Sequence, residues 1–230
     1  MKKKVLMVTI IPMMMFFLFI TELSVNSRKV DLFSEILART NSNIEECGVT
    51  AVFTTDMNRE NIVGQILKGL DFYDGWNSSI LKNEQTYCVE FGKNSVKGYI
   101  ETMQYENHNI VKVNIVKCER KNSLSELKSK LQKSIGNQYI DIKYYEYLKG
   151  KVENSDIKIV NEQILNVLKD YGVANIDTVS IENGYSTTAY TKQYNSIKSN
   201  GKLIDFNYAV CKYSSGNYII IGTPELIVTY

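Results

Sequence analysis

At 230 residues the chain is long enough for one large domain or two of roughly 100 residues, each able to bury a working core. Its 44% hydrophobic and 23% charged content is that of a globular protein. Formal charge is +2, but residues 1–27 hold three lysines and one glutamate, so the body is formally neutral; its arginines are only Arg28, Arg39, Arg59 and Arg120, and its lysines are scattered, which speaks against nucleic acid as a partner.

The first stretch departs from that average. "MKKKVLMVTIIPMMMFFLFITELSVNS" opens with three lysines and continues from Val5 to Ile20 without a charge. It reads as an export segment, either a cleaved signal peptide or an uncleaved membrane anchor, because the apolar run exceeds the ~7–15 residues of a signal core and falls short of the ~20 of a full span. Val25 and Ser27 are the best small-residue cleavage pair, and no cysteine follows that could carry a lipid. The lysines would hold the N-terminus in the cytoplasm and leave the body extracytoplasmic, secreted or anchored on the outer face of the membrane.

Leu32, Phe33, Ile36 and Leu37 fall at helical spacing and predict a helix over 29–40. Gly48 marks a change, after which "GVTAVFTTD" alternates as a strand. Asp56 or Asn58 can cap the next helix, with Ile62, Ile66, Leu67 and Leu70 as its stripe. "FYDGWNSS" reads as a loop holding the single tryptophan, Trp76. Three strands follow, "TYCVEF", "SVKGYIETMQY" and "IVKVNIVKC", joined by the turns "GKN" and "ENHN". "NSLSELKSKLQKSIG" is the clearest helix: Ser123 and Glu126 fit a capping box, Leu124, Leu127, Leu131 and Ile135 form the stripe, and Gly136 ends it.

The plan then restarts. "QYIDIKYYEYLKG" predicts a strand with Ile140, Ile142, Tyr144 and Leu148 on the core side, followed by a helix capped by Ser155 with Ile157, Val160, Ile164, Leu168 and Tyr171 inward and Gly172 as its stop. Asn183-Gly184 predicts a hairpin between "NIDTVSIE" and "YSTTAYT", with Tyr185 and Tyr190 on opposite strand faces. "LIDFNYAVCKY" and "NYIIIG" make a second hairpin, Thr223-Pro224 breaks pairing, and "ELIVTY" could add an end strand. The expected fold is α+β: a strand-helix-antiparallel-strands unit that occurs twice, over 28–137 and 138–230, with helices packed on antiparallel sheets.

The leading apolar segment, "RKNSLSELKSKL", "IENGYSTTAYT" and "LIDFNYAVCKYSSGNYIIIGTPELIVTY" resemble the YwmB-like proteins of Gram-positive bacteria over nearly all of the chain after residue 28. The resemblance implies a duplicated fold similar to the TATA-box-binding protein and an extracytoplasmic setting, and it supplies no catalytic residues. A neutral body with four arginines is unlike a minor-groove DNA binder, which inserts arginines and apolar wedges.

Chemistry is thinly marked. His108 is the only histidine and reads as a turn residue, so a nucleophilic triad has no other base. Asp141 and Glu146 fall on opposite strand faces by period 2; Asp71 and Asp74, before Trp76, remain the paired carboxylates of an alternative reading as a wall hydrolase. Cys47, Cys88, Cys118 and Cys211 lack zinc or redox spacing, and we expect free thiols, although spacing alone does not exclude a bridge. No metal or cofactor is implied. Aromatic binding is the better candidate: Tyr139, Asp141, Lys143, Tyr145 and Tyr147 share the side of their strand opposite the core stripe, and with Trp76 they suit a glycan or peptide surface, unless they pack under a helix. The expectation is an exported, non-catalytic binding or accessory module of the cell envelope, with an envelope protein or wall polymer as partner; a structural subunit of an envelope complex is the further alternative.

Overall fold

The computed structural model describes residues 31–71, 75–139, 141–153 and 156–227. The export segment, Asp74, Ile140, Ser155 and residues 228–230 lie outside these. The chain divides into a leading unit ending at Glu35 and a second unit, Ile36–Tyr230. Helix α1 (Leu32–Arg39) bears out the first apolar spacing, since Leu32, Phe33, Ile36 and Leu37 are all buried.

After α1 come β1 (Ser42–Thr55), α2 (Arg59–Gly69), β2 (Asn77–Lys82), β3 (Thr86–Lys93), β4 (Val96–Tyr105), β5 (His108–Lys117) and α3 (Leu124–Ile135). Then follow β6 (Lys143–Val152), α4 (Ile157–Asp170), β7 (Ala174–Ile181), β8 (Gly184–Tyr190), β9 (Ile197–Ser199), β10 (Lys202–Ile204), β11 (Phe206–Tyr213) and β12 (Gly216–Thr223). Among the described residues ten strands form one antiparallel sheet in the order β2-β3-β4-β5-β1-β6-β12-β11-β8-β7, while β9 and β10 pair only with each other. The class is α+β.

Residues paired across a sheet share a face. Val49, Ala51 and Phe53 of β1 pair with Ile115, Val113 and Val111 of β5, and all six are buried on the face that receives the helices. Against it lie Ile62, Val63 and Ile66 of α2, the full predicted stripe of α3, and Val160, Ile164 and Leu168 of α4. Each such side chain, fully removed from water, contributes about 1.5–3 kcal/mol before entropy is set against it. Tyr171, expected inward, is 40% exposed, because α4 ends at Asp170 and the chain turns at Gly172 (φ 62°).

The caps differ from expectation in two of three cases. Asn58 caps α2, accepting from the N–H groups of Glu60 (3.0 Å) and Asn61 (3.3 Å). The Ser123/Glu126 box does not form: Ser123 donates to Glu119 instead, Asn122 accepts from the Leu124 N–H (3.1 Å), and Glu126 pairs with Lys117 (3.5 Å). Ser123 has φ −109° and ψ 15°, away from the extended backbone that aims a capping oxygen at the first-turn N–H groups. Asp156 caps α4, accepting from Lys158 N–H at 2.9 Å.

Strand boundaries shift as well. β1 begins at Ser42, six residues before Gly48, and Gly48 lies inside it because the ring of Tyr147 crosses that position. β2 falls partly within the predicted loop; all six of its residues are exposed, so no burial imposes an alternating pattern on an edge strand that pairs only with β3. β6 starts at Lys143, leaving Tyr139 and Asp141 outside the strand, with Asp141 at φ 60°. In the β7–β8 hairpin Ile181 pairs with Gly184, so Glu182 and Asn183 are the turn and Gly184 belongs to the strand. Gly184 is required there by close approach, since a Cβ would stand 1.9 Å from the Val210 carbonyl oxygen. An Asn-Gly turn with both residues left-handed occurs at Asn200 (φ 48°) and Gly201 (φ 78°), joining β9 to β10, a hairpin the sequence reading passed over. After Thr223 residues 225–227 form no strand.

Candidate functional site

The register of β6 against β1 sorts the predicted aromatic set. Tyr144, Glu146 and Leu148 share the helix-covered face, where Glu146 accepts from Lys128 of α3 at 2.6 Å. Lys143, Tyr145 and Tyr147 share the opposite face. Tyr139 leaves this group: its ring packs on Phe53, 4.6 Å between centroids, a residue of the helix-covered core. Tyr139 and Lys143 line a cavity of about 790 Å³ at the end of β1 that includes Thr55 and Asp56. Trp76 stands apart, edge-on to Phe91 at 5.8 Å, and lines a cavity of about 250 Å³ with Leu70, Ile115 and Leu127.

Tyr147 is not a ligand surface. It is 6% exposed and packs with Val116, Ile220 and Leu226 in a small apolar cluster on the face away from the helices. Gly48, paired with it across β1–β6, provides the room: a Cβ there would lie 2.3 Å from the Tyr147 ring. Its hydroxyl donates to Glu46 at 2.6 Å, and Glu46 also receives Lys97 at 3.4 Å and the Cys118 thiol at 3.5 Å. Burial pushes Glu46 up, but the Tyr147 hydroxyl, Lys97 and Cys118 outweigh it and hold the carboxyl below its ordinary value. Burial, and then the Glu46 carboxylate, push Tyr147 far above the ordinary phenol range. Burial and Glu46 likewise raise the Cys118 thiol, which is thus a thiol and not a thiolate at neutral pH.

Along β6 from Tyr147, on the same face, come Lys149 and Lys151, and β12 sets Tyr218 beside them. The Lys149 ammonium lies 4.6 Å from the Tyr218 ring centroid and 5.7 Å from that of Tyr213, and Lys151 lies 5.9 Å from Tyr218. The two rings meet edge to face at 5.6 Å, and the Tyr218 hydroxyl donates to Ser215 at 3.2 Å. This ladder leads into a cavity of about 760 Å³ where the start of β1, the end of β6 and the β11–β12 turn meet. Arg120, Lys151 and Lys212 bring three cations to its wall, Glu45 and Glu153 two carboxylates, and Asn43, Tyr213 and Asn217 polar groups. Glu153 accepts from the Asn41 amide at 3.0 Å, and among the described residues none of the three cations is in an ion pair.

The other predicted candidates are placed plainly. His108 opens β5 and stacks edge-on against Tyr105 at 5.6 Å; it lines a polar cavity of about 330 Å³ with Arg59, whose buried Nη1 lacks a hydrogen-bond acceptor. Asp71 is exposed at φ 55° and its proposed partner Asp74 lies outside the described residues. All four cysteines are free; Cys47 and Cys211 are buried, Cys88 half-buried and Cys118 exposed. Among the described residues no three His, Cys, Asp or Glu side chains are grouped to hold a metal, and no helix is long and apolar enough to cross a membrane. Sequence reasoning missed Lys149, Lys151, Tyr213 and Tyr218; the signal it had was the two-residue spacing of the lysines, but only the β6–β12 register sets the tyrosines beside them.

No family model matches the chain, and no curated protein does. Among solved structures, that of DynU16, a protein of the dynemicin biosynthetic locus, is similar over 76% of this chain and 86% of its own length, at 10% identity and a TM-score of 0.26.

Proposed function

We propose that the chain is a non-catalytic binding or accessory module of the cell envelope, exported and either secreted or held to the outer face of the cytoplasmic membrane by residues 1–27. The observation that carries the reading is the Lys149–Tyr213 pair on the sheet face away from the helices, backed by the buried ring of Tyr218. A half-buried ring beside a cation suits a polar polymer or a protein surface, because Tyr213 offers flat apolar area and Lys149 a charge at small entropic cost. The partner is an envelope protein or a wall polymer, with no nucleic acid, and the membrane is met through the leading segment where it remains uncleaved.

The finer fold reading belongs to the same proposal. A strand, a helix and four strands, β1-α2-β2-β3-β4-β5, answer to β6-α4-β7-β8-β11-β12, and β5 and β12 flank β1 and β6 in the same way. That correspondence supports a duplicated unit of the TATA-box-binding type, with 28–137 and 138–230 as its halves, and agrees with the YwmB-like resemblance.

Two experiments test the function. Residues 1–27 fused to a reporter that is active only outside the cytoplasm should give activity; an inactive, stable fusion removes the localisation. Crosslinking of the full chain in intact cells should capture envelope material, and Tyr213→Ala with Lys149→Gln should reduce that capture at least fivefold. Unchanged capture by the folded double variant would remove the ladder from the site.

A further inference from the structure

We propose that the cavity at the Lys151 end of β6 binds a poly(polyol phosphate), a phosphodiester polymer without nucleobases, an inference that rests on the envelope-binding reading and names the ligand class for its site. The body as a whole is neutral, so no long-range field draws a polyanion to it. Charge is concentrated locally instead. Lys151, Lys212 and Arg120 come from β6, β11 and the segment after β5, line one cavity of about 760 Å³, and are in no ion pair among the described residues. Lys149 extends the set along β6; two residues on one face of a strand lie about 6.6 Å apart, so two ammonium groups can address successive charges of one chain.

The rest of the wall agrees with phosphate. Glu153 is held by the Asn41 amide, and Glu45 is the one other carboxylate of the wall, so cations outnumber anions. Asn43 and Ser214 bring neutral donors for phosphoryl oxygens, and Arg120 brings a planar fork. A phosphodiester carries one permanent negative charge per repeat and no acidic proton, whereas its polyol or sugar linker presents C–H groups. Those linkers match the half-buried ring of Tyr213, which lines the cavity beside Lys149 and is backed by buried Tyr218. The cavity thus alternates charge with flat apolar surface, as such a polymer does.

The test uses the full chain, kept soluble in a nonionic detergent, on immobilised poly(glycerol phosphate). With three or four phosphates engaged, binding should fall roughly 20- to 50-fold between 50 and 200 mM salt. Lys151→Gln with Lys212→Gln should weaken it at least tenfold, Lys198→Gln on exposed β9 should leave it unchanged, and Glu153→Gln, which removes a negative charge from the wall, should strengthen it. The inference is overturned if the folded double variant binds like the parent, if polygalacturonate, a carboxylate polymer, binds as tightly, or if single-stranded DNA of equal charge binds more tightly. Failure of the envelope reading is separately visible: a chain that binds poly(glycerol phosphate) through Lys151 and Lys212 but captures nothing from the envelope keeps this inference and loses that reading. Capture of envelope material that ignores both lysines does the reverse.

Discussion

Replacing Gly48 by Ala probes the contact that turns Tyr147 from a surface residue into a buried one. The added Cβ would stand 2.3 Å from Tyr147 Cε1 and 2.9 Å from Cζ, far inside contact distance. The ring has little room to yield, because Val116, Ile220 and Leu226 pack around it and its hydroxyl is bonded to Glu46. Overpacking of this kind costs about 1–3 kcal/mol, partly offset by the roughly 0.5–1 kcal/mol that alanine regains over glycine in regular structure. A net cost near 1–2 kcal/mol should lower Tm by about 2–8 °C for a chain of this size. Tyr147→Ala alone should cost about 3–5 kcal/mol. In the Tyr147→Ala background the Gly48→Ala methyl enters vacated space, so the double variant should be more stable than the sum of the singles by about 1–3 kcal/mol. Urea unfolding of the four proteins of the cycle measures this. Equal cost of Gly48→Ala in both backgrounds would refute the account, since the clash would then lie with something other than the ring.

Leu131→Ala, in the fully buried stripe of α3, should cost about 2–5 kcal/mol by chemical denaturation. Asn58→Ala removes the acceptor for two N–H groups at the start of α2 and should cost about 0.5–2 kcal/mol, whereas Ser123→Ala, whose side chain makes no cap bond to α3, should not show a capping loss. Asp205, fully buried, accepts from the N–H groups of Thr191, Gln193 and Tyr194; Asp205→Ala should strip hydrogen-exchange protection from those amides while leaving α3 protected. Glu46 titrates in the folded chain below its ordinary 4.5, so its contribution is present above that pH and is lost as pH falls through the depressed folded value. Stability followed from pH 6 to pH 3 should therefore decline, and less steeply in Tyr147→Phe, which removes the donor that helps hold the carboxyl down; equal slopes would remove Tyr147 as a cause.

The sequence by itself determined whatever is local and periodic. The stripe of α3, Leu124 to Ile135, repeats every three to four residues and could only be one face of a helix, and Val111, Val113 and Ile115 alternate as a strand with one buried side. From such elements the α+β class follows. Edge strand β2 left no pattern because none of its residues is buried, and the Ser123 cap failed because its backbone, at φ −109° and ψ 15°, is not extended as a cap requires. The candidate site was less legible still. Period 2 correctly set Tyr147 on the face away from Leu148, but whether that face was solvent or core depended on Gly48 and Ile220, residues 99 and 73 positions away. Lys149, Lys151, Lys212 and Arg120 look scattered along the chain because the pairing of β6 with β12, and of β12 with β11, is a long-range fact. Alternation assigns a side chain to a face; only the register between distant strands decides what it meets there.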